Sequence, residues 1–535
     1  MKRTVSPLRQ SRTLRQIAKY ARRALLNHTT QLGVMNSFNA INALRDQYID
    51  DRIATLEVRP SQSTTVAIVR IGQGIDDVSL VEWDATAPFL PSGLEPLHKS
   101  TLGDALKTAP YFLVIRDKTK LDITALTRLL EQALQEGNEH IGLWEPRYSP
   151  HEQDKYYDPV TGYTNWSSID HSLLAREAFS YAKVLTSDDG SIIFDIETSY
   201  RIRSAGFLLQ YCPDIIVERQ ISSDKVSLRD YVALWMRYNP LRTGRAAREG
   251  QESSIHYPLG GRDLELRRTI SVSPQRCDSP DAFRPKVSII VRTYRGRETL
   301  LKQALFSIIQ QTYDNIEIVV VEDGGSYQEK YVSQISSVAS IYGKSIIYLS
   351  AEKVGRSQTG NIGLSKASGE YIGFLDDDDL LFRDHVETLV SAVTSSKKDA
   401  AYALSWAIKT KKKNNRNGYI ETAVVDPKAY DREYSYAILE KENIFPIQSI
   451  IFHRSRYDQR GGFDTSLEHL EDWNLWLRYA YQADFSFVRQ TTSMFRVPDG
   501  DAILAERGKL MELAHDTAKQ KAYDALATFR TEAQD

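Results

Sequence analysis

The sequence predicts an α/β protein of two tandem domains, each built on a Rossmann-like mixed sheet, with helical extensions at both termini. Three observations lead to this fold class. First, 535 residues are too many for one hydrophobic core. Second, strand-like and helix-like segments alternate in two separate stretches, which is typical of mostly parallel sheets covered by helices. Third, a stretch rich in Gly, Pro, Ser and charged residues separates the two.

The composition is that of a soluble globular protein, with 41% hydrophobic and 26% charged residues. The net charge of −2 argues against nucleic acid as a partner. Cys212 and Cys277 are too few for a disulfide framework or a zinc site, and they favour a reducing compartment. No apolar run approaches the ~20 residues that span a bilayer, and the amino terminus lacks the apolar core of a signal peptide. We therefore expect a cytoplasmic protein.

Residues 1–60 are predicted to be a basic helical extension. No Asp or Glu precedes Asp46, and apolar residues between Leu8 and Leu26 recur at a roughly helical spacing with basic residues among them. A helix of this kind binds an anionic membrane surface, where each basic residue contributes about 1 kcal/mol. One interpretation is therefore peripheral contact of residues 1–30 with the inner face of the plasma membrane. The other is a solvated or docked terminal helix.

The remaining boundaries follow from the alternation of elements. Residues 61–225 form the first predicted domain, with strands in TTVAIVRIG, YFLVIRD and IGLWEPRY, and residues 226–284 form a helix and linker. Residues 285–500 form the second domain, with strands in KVSIIVRTY, NIEIVVVEDGG, KSIIYLSAE and GEYIGFLDDDD. Residues 501–535 are predicted to be a carboxy-terminal helix that packs on a domain or a partner.

Polar residues follow three strands of the second domain, and the aspartate run Asp376–Asp379 is the most unusual of these endings. Two unit charges about 5 Å apart repel by roughly 3 kcal/mol at an effective dielectric constant of about 20. Four adjacent carboxylates are therefore either fully solvated or positioned to bind a cation. The other two strands end in Arg292-Thr293-Tyr294 and in Glu322-Asp323-Gly324-Gly325. Because ligands bind at the carboxyl ends of parallel strands, the three endings together favour a binding site.

The residue types at these ends suit a nucleoside diphosphate. Asp376 and Asp378 could both face one hard divalent cation, Mn²⁺ or Mg²⁺, which would neutralise charge on a diphosphate leaving group. Asp323, followed by two glycines, could accept hydrogen bonds from a base or ribose. Further along, Glu471 and Asp472 begin a predicted helix. They could complement the helix dipole, or a carboxylate there could deprotonate an acceptor hydroxyl in a single displacement that inverts the anomeric centre.

The segments VSIIVRTYRGRETLLKQALFSIIQQTYDNIEIVVVEDGGS, GRSQTGNIGLSKASGEYIGFLDDDDLL and GGFDTSLEHLEDWNLWLR, in this order, resemble glycosyltransferase family 2, which has the GT-A fold. The resemblance covers roughly residues 286–496. It implies the following site residues: nucleotide contacts at Thr293, Tyr294, Asp323, Asn361, Asp376 and Asp377; metal ligands at Asp376, Asp378 and Asp379; and Asp472 as catalytic base, held by Glu471 and Trp473. Two departures are the additional Gly in EDGGS and Pro498, where many relatives have a histidine.

The first domain resembles the second without its acidic run. YFLVIRDKTKLDITALTRLLEQAL aligns without a gap on YIGFLDDDDLLFRDHVETLVSAV, so that Arg116 and Lys118 stand at the positions of Asp376 and Asp378. Asp195 corresponds to Asp472. This indicates a diverged GT-A-like domain without the metal motif. It either shapes the acceptor channel, binds glycan or mediates assembly, or it is a second, metal-independent transferase using Arg116, Lys118 and Asp195.

The resemblance implies an inverting, metal-dependent hexosyltransferase that uses a nucleotide-sugar donor and a glycan or lipid-linked glycan acceptor. Such an enzyme fits the synthesis of a bacterial envelope polysaccharide, for example O-antigen or capsule. Three alternatives remain. The chain could be a non-catalytic scaffold or glycan-binding component of an assembly with other subunits or copies of itself. It could be bifunctional, with both domains active. A nucleotidyltransferase is less well supported because no glycine-rich, lysine-containing phosphate loop is present near the start.

Overall fold

The structure of the protein is a computed structural model. Its described residues are 45–46, 48–50, 53, 64–71, 75–83, 98–116, 123–134, 138, 141–149, 153–155, 157–161, 163–164, 168, 170–181, 195, 198–199, 201–202, 207–218, 267–269, 284–412, 419–425 and 427–532. The predicted basic helix, its membrane contact and the predicted helix after residue 226 lie outside them. Within the described helices, none is both long and apolar enough to cross a membrane.

The first sheet has seven described strands, in the spatial order β3-β2-β1-β4-β7-β5-β8. These strands are β1 (Thr64–Ile71), β2 (Ile75–Trp83), β3 (His98–Lys99), β4 (Tyr111–Arg116), β5 (Ile141–Ser149), β7 (Leu173–Ala175) and β8 (Leu208–Glu218). The described helices between these strands are α1 (Leu102–Thr108), α2 (Ile123–Ala133) and α3 (Arg176–Tyr181). Residues 45, 46, 48–50 and 53 are also helical.

The second sheet has the order β12-β11-β10-β13-β17-β15-β18-β14, with β16 paired to β15. Its strands are β10 (Val287–Tyr294), β11 (Ile316–Asp323), β12 (Ser345–Ala351), β13 (Tyr371–Asp376), β14 (Leu380–Leu381), β15 (Ala400–Lys412), β16 (Tyr419–Val425), β17 (Ile450–His453) and β18 (Phe485–Pro498). Its helices are α4 (Glu298–Ile309), α5 (Glu329–Ile341), α6 (Arg356–Lys366), α7 (His385–Ser396), α8 (Tyr436–Leu439), α9 (Ser455–Arg460), α10 (Glu471–Ala480) and α11 (Asp501–Glu532). The predicted α/β class with two mixed sheets is confirmed.

The sequence patterns explain why these elements form. Every residue of β11 is buried, as expected for the continuous apolar run of a central parallel strand with helices on both faces. In α4 the spacing of Leu301, Leu305 and Ile308 places apolar side chains on one buried face. The segment Glu471–Ala480 is nearly all buried because α11 covers its outer side, where His515 stacks on Trp473 with ring centroids 4.5 Å apart.

The two sheets share one half of their topology, with matching register. In the first sheet Val66 lies opposite Tyr111, and in the second Val287 lies opposite Tyr371, both in parallel pairs. The neighbouring short strands β7 and β17 are both antiparallel to these central strands. At the ends of the pairs, Ile71 and Arg116 in one sheet correspond to Arg292 and Asp376 in the other. This register is the one that the gap-free alignment of Tyr111 on Tyr371 predicts.

The other halves of the two sheets differ. In the second sheet β10 pairs in parallel with β11, and β11 pairs in parallel with β12. In the first sheet β1 instead pairs antiparallel with β2, the next strand along the chain. Within the described residues, the first sheet therefore has no strand that corresponds to β11, whose end carries Asp323. The linker prediction for residues 226–284 also needs correction, because β9 (Arg267–Thr269) pairs there with β6 (Gln153–Lys155) of the first domain.

Helix α6 lies close against β10 through a glycine. A Cβ atom added at Gly363 would come within 2.3 Å of Cγ2 of Ile290, which is fully buried in β10. We expect Gly363→Ala to destabilise the protein by about 1–3 kcal/mol because the helix must move away from the sheet. Gly508→Ala in α11 is the control, since nothing lies within 4 Å of its added Cβ.

The control should stabilise the protein by up to about 1 kcal/mol through helix propensity. Urea unfolding followed by circular dichroism measures both changes. An unfolding midpoint for Gly363→Ala at or above that of the unmodified protein would show that this helix–sheet contact is not tight.

Candidate functional site

The carboxyl edge of the second sheet brings the three polar strand endings together. Strand β10 lies between β11 and β13, and all three run parallel. Tyr294 lies opposite Asp323 on one side, and Arg292 lies opposite Asp376 on the other. The sheet register therefore assembles at one edge residues that are more than eighty positions apart in the sequence.

Arg292 pairs with the first aspartate of the run. Its Nε and Nη2 atoms donate to the two carboxylate oxygens of Asp376 at 2.8 and 2.9 Å. Its Nη1 atom has no hydrogen-bond partner and lies 3.8 Å from Oε1 of Glu471. Burial alone would lower the pKa of Arg292, but Asp376 and Glu471 outweigh burial and raise it. Arg292 is thus a buried cation that connects the aspartate run to the start of α10.

Arg297 pairs with the next two aspartates. Its Nη2 atom lies 2.8 Å from Oδ1 of Asp377 and 2.5 Å from Oδ2 of Asp378. The hydroxyl of Thr293 donates to Asp377 at 2.8 Å. Burial raises the pKa of Asp377 to about 7, although Arg297 acts in the opposite direction. Thr293 and Asp377, both predicted as nucleotide contacts, therefore bond to each other in this structure.

Asp379 has a different environment from Asp376 and Asp378. It is buried, one of its carboxylate oxygens accepts the backbone N–H of Arg496 at 3.0 Å, and burial followed by Asp378 and Asp376 raises its pKa well above the usual range. Among the described residues no group of three or more His, Cys, Asp or Glu side chains is arranged to hold a metal ion. The predicted three-carboxylate ligand set is therefore not assembled.

Two of the carboxylates do fit a divalent cation. The side chains of Asp376 and Asp378 are each 33% exposed, and they present the oxygen ligands that Mg²⁺ and Mn²⁺ prefer. Such ions are held in many phosphate-transfer sites by one or two carboxylates, with water and substrate phosphates as the other ligands. Arg292 and Arg297 occupy these carboxylates in the structure, so a cation would compete with two guanidinium groups.

Asp323 is fixed by the chain that follows β12. Lys353 Nζ donates to Oδ2 at 2.9 Å, and the backbone N–H groups of Val354 and Gly355 donate to Oδ1 at 2.7 and 3.2 Å. Burial alone would raise the pKa of Asp323, but these bonds outweigh it and lower the pKa, so the group is ionised at neutral pH. The neighbouring Tyr294 is 47% exposed, and the cationic groups of Arg297 and Lys353 lie 5.2 and 5.7 Å from the centroid of its ring.

Glu471 and Asp472 begin α10, as predicted. Oδ2 of Asp472 accepts from Nδ2 of Asn443 at 3.0 Å, and Oδ1 accepts from the N–H of Trp473 at 2.8 Å. Glu471 pairs with Arg356 at 2.8 Å. Burial and the neighbouring Asp472 raise the pKa of Glu471 to about 7, and burial also raises the pKa of Asp472. A carboxylate with a raised pKa is a better proton acceptor than an ordinary one.

Asn361 does not contribute its amide to this edge. Its Nδ2 atom donates to the carbonyl of Phe463 at 3.0 Å, and its Oδ1 atom accepts the N–H of the same residue at 2.6 Å. Both polar atoms are thus used to hold the chain before α10 against α6. The structure gives Asn361 a structural role where the resemblance implied a nucleotide contact.

In the first domain, two of the three predicted residues meet. The guanidinium of Arg116 binds both carboxylate oxygens of Asp195 at 3.0 and 2.7 Å, and the pair is buried. The backbone N–H of Arg116 donates to Asp170 at 2.6 Å. Lys118 lies outside the described residues. The correspondence of Arg116 with Asp376 and of Asp195 with Asp472 therefore produces an ion pair where the second domain has two carboxylates.

The sequence analysis missed the basic and amide partners of the carboxylates. These are Arg292, Arg297, Lys353, Arg356, Asn443 and Arg496. A signal is present in RTYRGRE, where Arg292 and Arg297 lie on either side of the end of a strand. Asn443 had no such signal, because it lies in an irregular loop far from Asp472 in the sequence.

A parallel sheet half with polar residues at its carboxyl edge defines the class of α/β domains that bind ligands at strand ends. Residues 288–459 match the model of the family described as Glycosyl transferase family 2. An uncharacterised glycosyltransferase of Rickettsia typhi is 26% identical over 43% of this chain and 70% of its own length. Glycosyltransferase GlyA of Streptococcus pneumoniae is 32% identical over 31% of this chain, and the matched part covers only 22% of that protein.

Two solved structures show weaker likeness. TarS of S. aureus in complex with UDP-GlcNAc is 19% identical over 40% of this chain and 60% of that chain, with a TM-score of 0.32. A mannosyltransferase of Pyrobaculum calidifontis in complex with GDP-Man and Mn²⁺ is 18% identical over 56% of this chain and 84% of that chain, with a TM-score of 0.31. The family match and the glycosyltransferase relatives are the stronger findings. They agree in likening residues 288–459 to glycosyltransferase family 2, and they support a transferase enzyme.

The pair of Arg297 with Asp377 allows a test of the charge balance in the aspartate run. Both side chains are less than 10% exposed, so Arg297→Met should leave a buried carboxylate without its cation. We expect a loss of about 3–5 kcal/mol in the free energy of unfolding. Adding Asp377→Asn to this variant should recover part of the loss, because the orphaned charge is then removed.

Arg489→Met is the matched control, since Arg489 also forms a two-bond pair, with Asp431, but its side chain is 70% exposed. Its removal should cost no more than about 1 kcal/mol. Denaturant unfolding of the three variants and the unmodified protein measures these differences. Equal losses for Arg297→Met and Arg489→Met would mean that Asp377 does not depend on its arginine.

Proposed function

We propose that residues 285–500 form an inverting glycosyltransferase domain that transfers a sugar from a nucleoside diphosphate sugar to a glycan or glycolipid acceptor. One observation carries this proposal: Arg292 connects the cation-compatible carboxylate of Asp376 to the buried acidic pair Glu471 and Asp472. A donor-activating group and a proton acceptor thus lie on two sides of one side chain. The family match of residues 288–459 supports the same activity.

For the donor, Asp376 and Asp378 would hold Mn²⁺ or Mg²⁺. When bound there, the cation would neutralise the charge that develops on the leaving diphosphate. The ionised Asp323 would accept N–H or O–H donors of the base or ribose. The exposed ring of Tyr294, beside Asp323 in the sheet register, would stack against a planar base.

For the acceptor, Asp472 would remove the proton of the attacking hydroxyl. The hydroxyl oxygen would form a bond to the anomeric carbon while the bond from that carbon to the diphosphate oxygen breaks on the opposite face, which inverts the configuration. Asn443 and the N–H of Trp473 would hold the two oxygens of Asp472 in place. General-base catalysis of this kind is worth about 10²–10⁴-fold in rate.

The first domain supports a helper role better than a second transferase. Within the described residues it has a β1–β2 hairpin in place of the parallel strand whose end would face a nucleoside. Its counterparts of the metal carboxylate and the base neutralise each other in the Arg116–Asp195 pair. Bifunctional catalysis would require that ion pair to open.

Titration calorimetry with UDP, GDP, TDP and CMP, with and without Mn²⁺, tests the donor site on the full chain. We expect one nucleotide to bind in a Mn²⁺-dependent manner. Asp378→Ala should weaken that binding at least tenfold, because loss of even an outer-shell partner of a metal ligand lowers metal affinity by about 10- to 100-fold. Asp472→Asn should bind the same nucleotide unchanged and lose transfer by about 10²-fold or more.

Asp431→Asn, which removes a carboxylate that pairs with the exposed Arg489, is the control for both measurements. Retained transfer in Asp472→Asn would remove that residue from the base role. The absence of nucleotide binding by the unmodified chain would favour a non-catalytic scaffold instead.

The acidic pair also makes a prediction about pH. Because burial raises the pKa of Asp472, its ionised form, and with it transfer, should be lost as pH falls through a value above the ordinary Asp range. Arg356 lowers that pKa, so Arg356→Gln should move the acidic limb of the rate to higher pH.

Rates of transfer between pH 5 and 9, compared with those of Arg489→Gln, measure the displacement. Arg489 is the control because its side chain is 70% exposed and pairs with Asp431. An acidic limb that stays in place in Arg356→Gln would mean that a different group controls the rate.

A further inference from the structure

Arg45 is fully buried and binds both domains. Its Nε and Nη2 atoms each lie 2.6 Å from Oδ2 of Asp158 in the first domain. Its Nη1 atom donates to Oε1 of Glu421 in β16 at 2.7 Å. Asp158 is held in turn by a local turn, in which its Oδ1 atom accepts the N–H and hydroxyl of Thr161 at 2.9 and 3.1 Å. A single side chain thus connects a fixed loop of the first domain to the second sheet.

Glu421 passes this connection to Arg496 in β18. The same Oε1 atom that binds Arg45 accepts from Nη2 of Arg496 at 2.7 Å and from Nε at 3.2 Å. Arg496 contacts the aspartate run directly, because its guanidinium donates to the carbonyl of Asp378 and its backbone N–H binds the carboxylate of Asp379 at 3.0 Å. Asp158, Arg45, Glu421 and Arg496 therefore form a continuous buried chain of ion pairs, which ends on the run Asp376–Asp379.

A second connection follows the same route. Asp46, adjacent to Arg45, accepts from Nε2 of Gln303 in α4 at 3.1 Å. Oε1 of Gln303 accepts from Nη2 of Arg496 at 3.0 Å. The guanidinium of Arg496 is thus held from two sides by residues that contact positions 45 and 46.

The residues just after the aspartate run also rest on the first domain. The ring of Tyr157 packs against Phe382 with centroids 5.3 Å apart, and its hydroxyl accepts the N–H of Arg383 at 3.3 Å. Tyr157 is adjacent to Asp158, so one loop of the first domain contacts residues 382 and 383 directly and reaches Asp378 and Asp379 through the ion-pair chain. Fixed geometry matters here, because a divalent cation of the Mg²⁺ type requires its carboxylate ligands in defined positions.

We infer that the first domain positions the aspartate run for donor binding, through the ion-pair chain of Asp158, Arg45, Glu421 and Arg496. These four are positioning residues, since they act through the carbonyl of Asp378 and the carboxylate of Asp379, and the inference rests on the proposed donor site at Asp376 and Asp378. The first domain then contributes to catalysis without a reaction of its own. Donor affinity, rather than the chemical step, is what the chain controls.

The test breaks the chain without leaving an unpaired buried carboxylate in the first domain. In the full-length double variant Arg45→Met/Asp158→Asn, both charges of the first link are removed while Glu421 keeps Arg496. We expect Mn²⁺-dependent binding of the nucleoside diphosphate to weaken by about 10- to 100-fold. The donor KM should rise, while kcat at saturating donor and Mn²⁺ changes less than about threefold. Hydrogen exchange of the amides in residues 376–384 should accelerate in the metal-free protein.

Asp50→Asn is the matched control, since Asp50 lies on the same amino-terminal helical segment and pairs with Lys302 of α4, but has no bond to Arg496 or the aspartate run. It should leave both the binding and the exchange unchanged. Glu421→Gln, which keeps the shape of the link, provides a second variant and should weaken nucleotide binding in the same direction. Circular dichroism and the melting temperature establish that each variant is folded.

Two outcomes would overturn the inference. In the first, the folded double variant binds the nucleotide and Mn²⁺ as tightly as the unmodified protein, and its amides at 376–384 exchange at the same rate. In the second, Asp50→Asn has an equal effect, so that the chain is merely one part of a general interface. If the unmodified protein binds no nucleotide with Mn²⁺, the proposed function itself fails, and the exchange measurement still decides whether the chain holds the run in place.

Discussion

The pairing of arginines with the run Asp376–Asp379 is the interaction on which the rest of the second domain depends. Four adjacent carboxylates at a strand end would repel one another, and most of their side chains are at least half removed from water. Arg292 and Arg297 offset that repulsion, and Arg496 supplies a backbone N–H to the last aspartate. Each partner comes from a different element, so the sheet register, the start of α4 and the path of β18 must all be correct for the run to fold.

Much of this could be predicted from the sequence, because parallel strands follow a simple rule. Alternating strands and helices fix which chain ends meet, so the neighbourhood of Asp323, Asp376 and Tyr294 follows from topology alone. The start of α10 at Glu471 was equally accessible, since acidic residues precede an apolar helical pattern. The partners of these groups could not be predicted, because no periodic sequence pattern indicates which residue a long arginine side chain or a loop amide such as that of Asn443 will contact. The bonds of Asn361 were not accessible either, because its amide pairs with the backbone of Phe463, which only the tertiary structure places nearby.

The sheets of the two domains share their central parallel pair of strands and differ in the half that carries Asp323 in the second domain. The register from Val66 to Tyr111 repeats that from Val287 to Tyr371, and the same short antiparallel strand follows in each. A hairpin in the first sheet takes the place of the parallel β10–β11 unit. Conversion of a carboxylate position into Arg116, bound to Asp195, completes the change. Tyr157 and Arg147 of that domain contact residues 382–384, and Asp158 binds Arg45.

The Arg45–Glu421 bond has a consequence for the synthesis of the chain. The two residues are separated by 376 positions, and at 5–20 residues per second the ribosome needs roughly 20 to 75 s to connect them. Asp158 emerges much earlier, so Arg45 can form its first ion pair while the second domain is still unmade. The first domain can therefore fold with the guanidinium of Arg45 already oriented by Asp158. Glu421 of the second domain can then bind this guanidinium when it is made. The order of translation thus favours formation of the Arg45–Asp158 ion pair before the strand that carries Glu421 has been made.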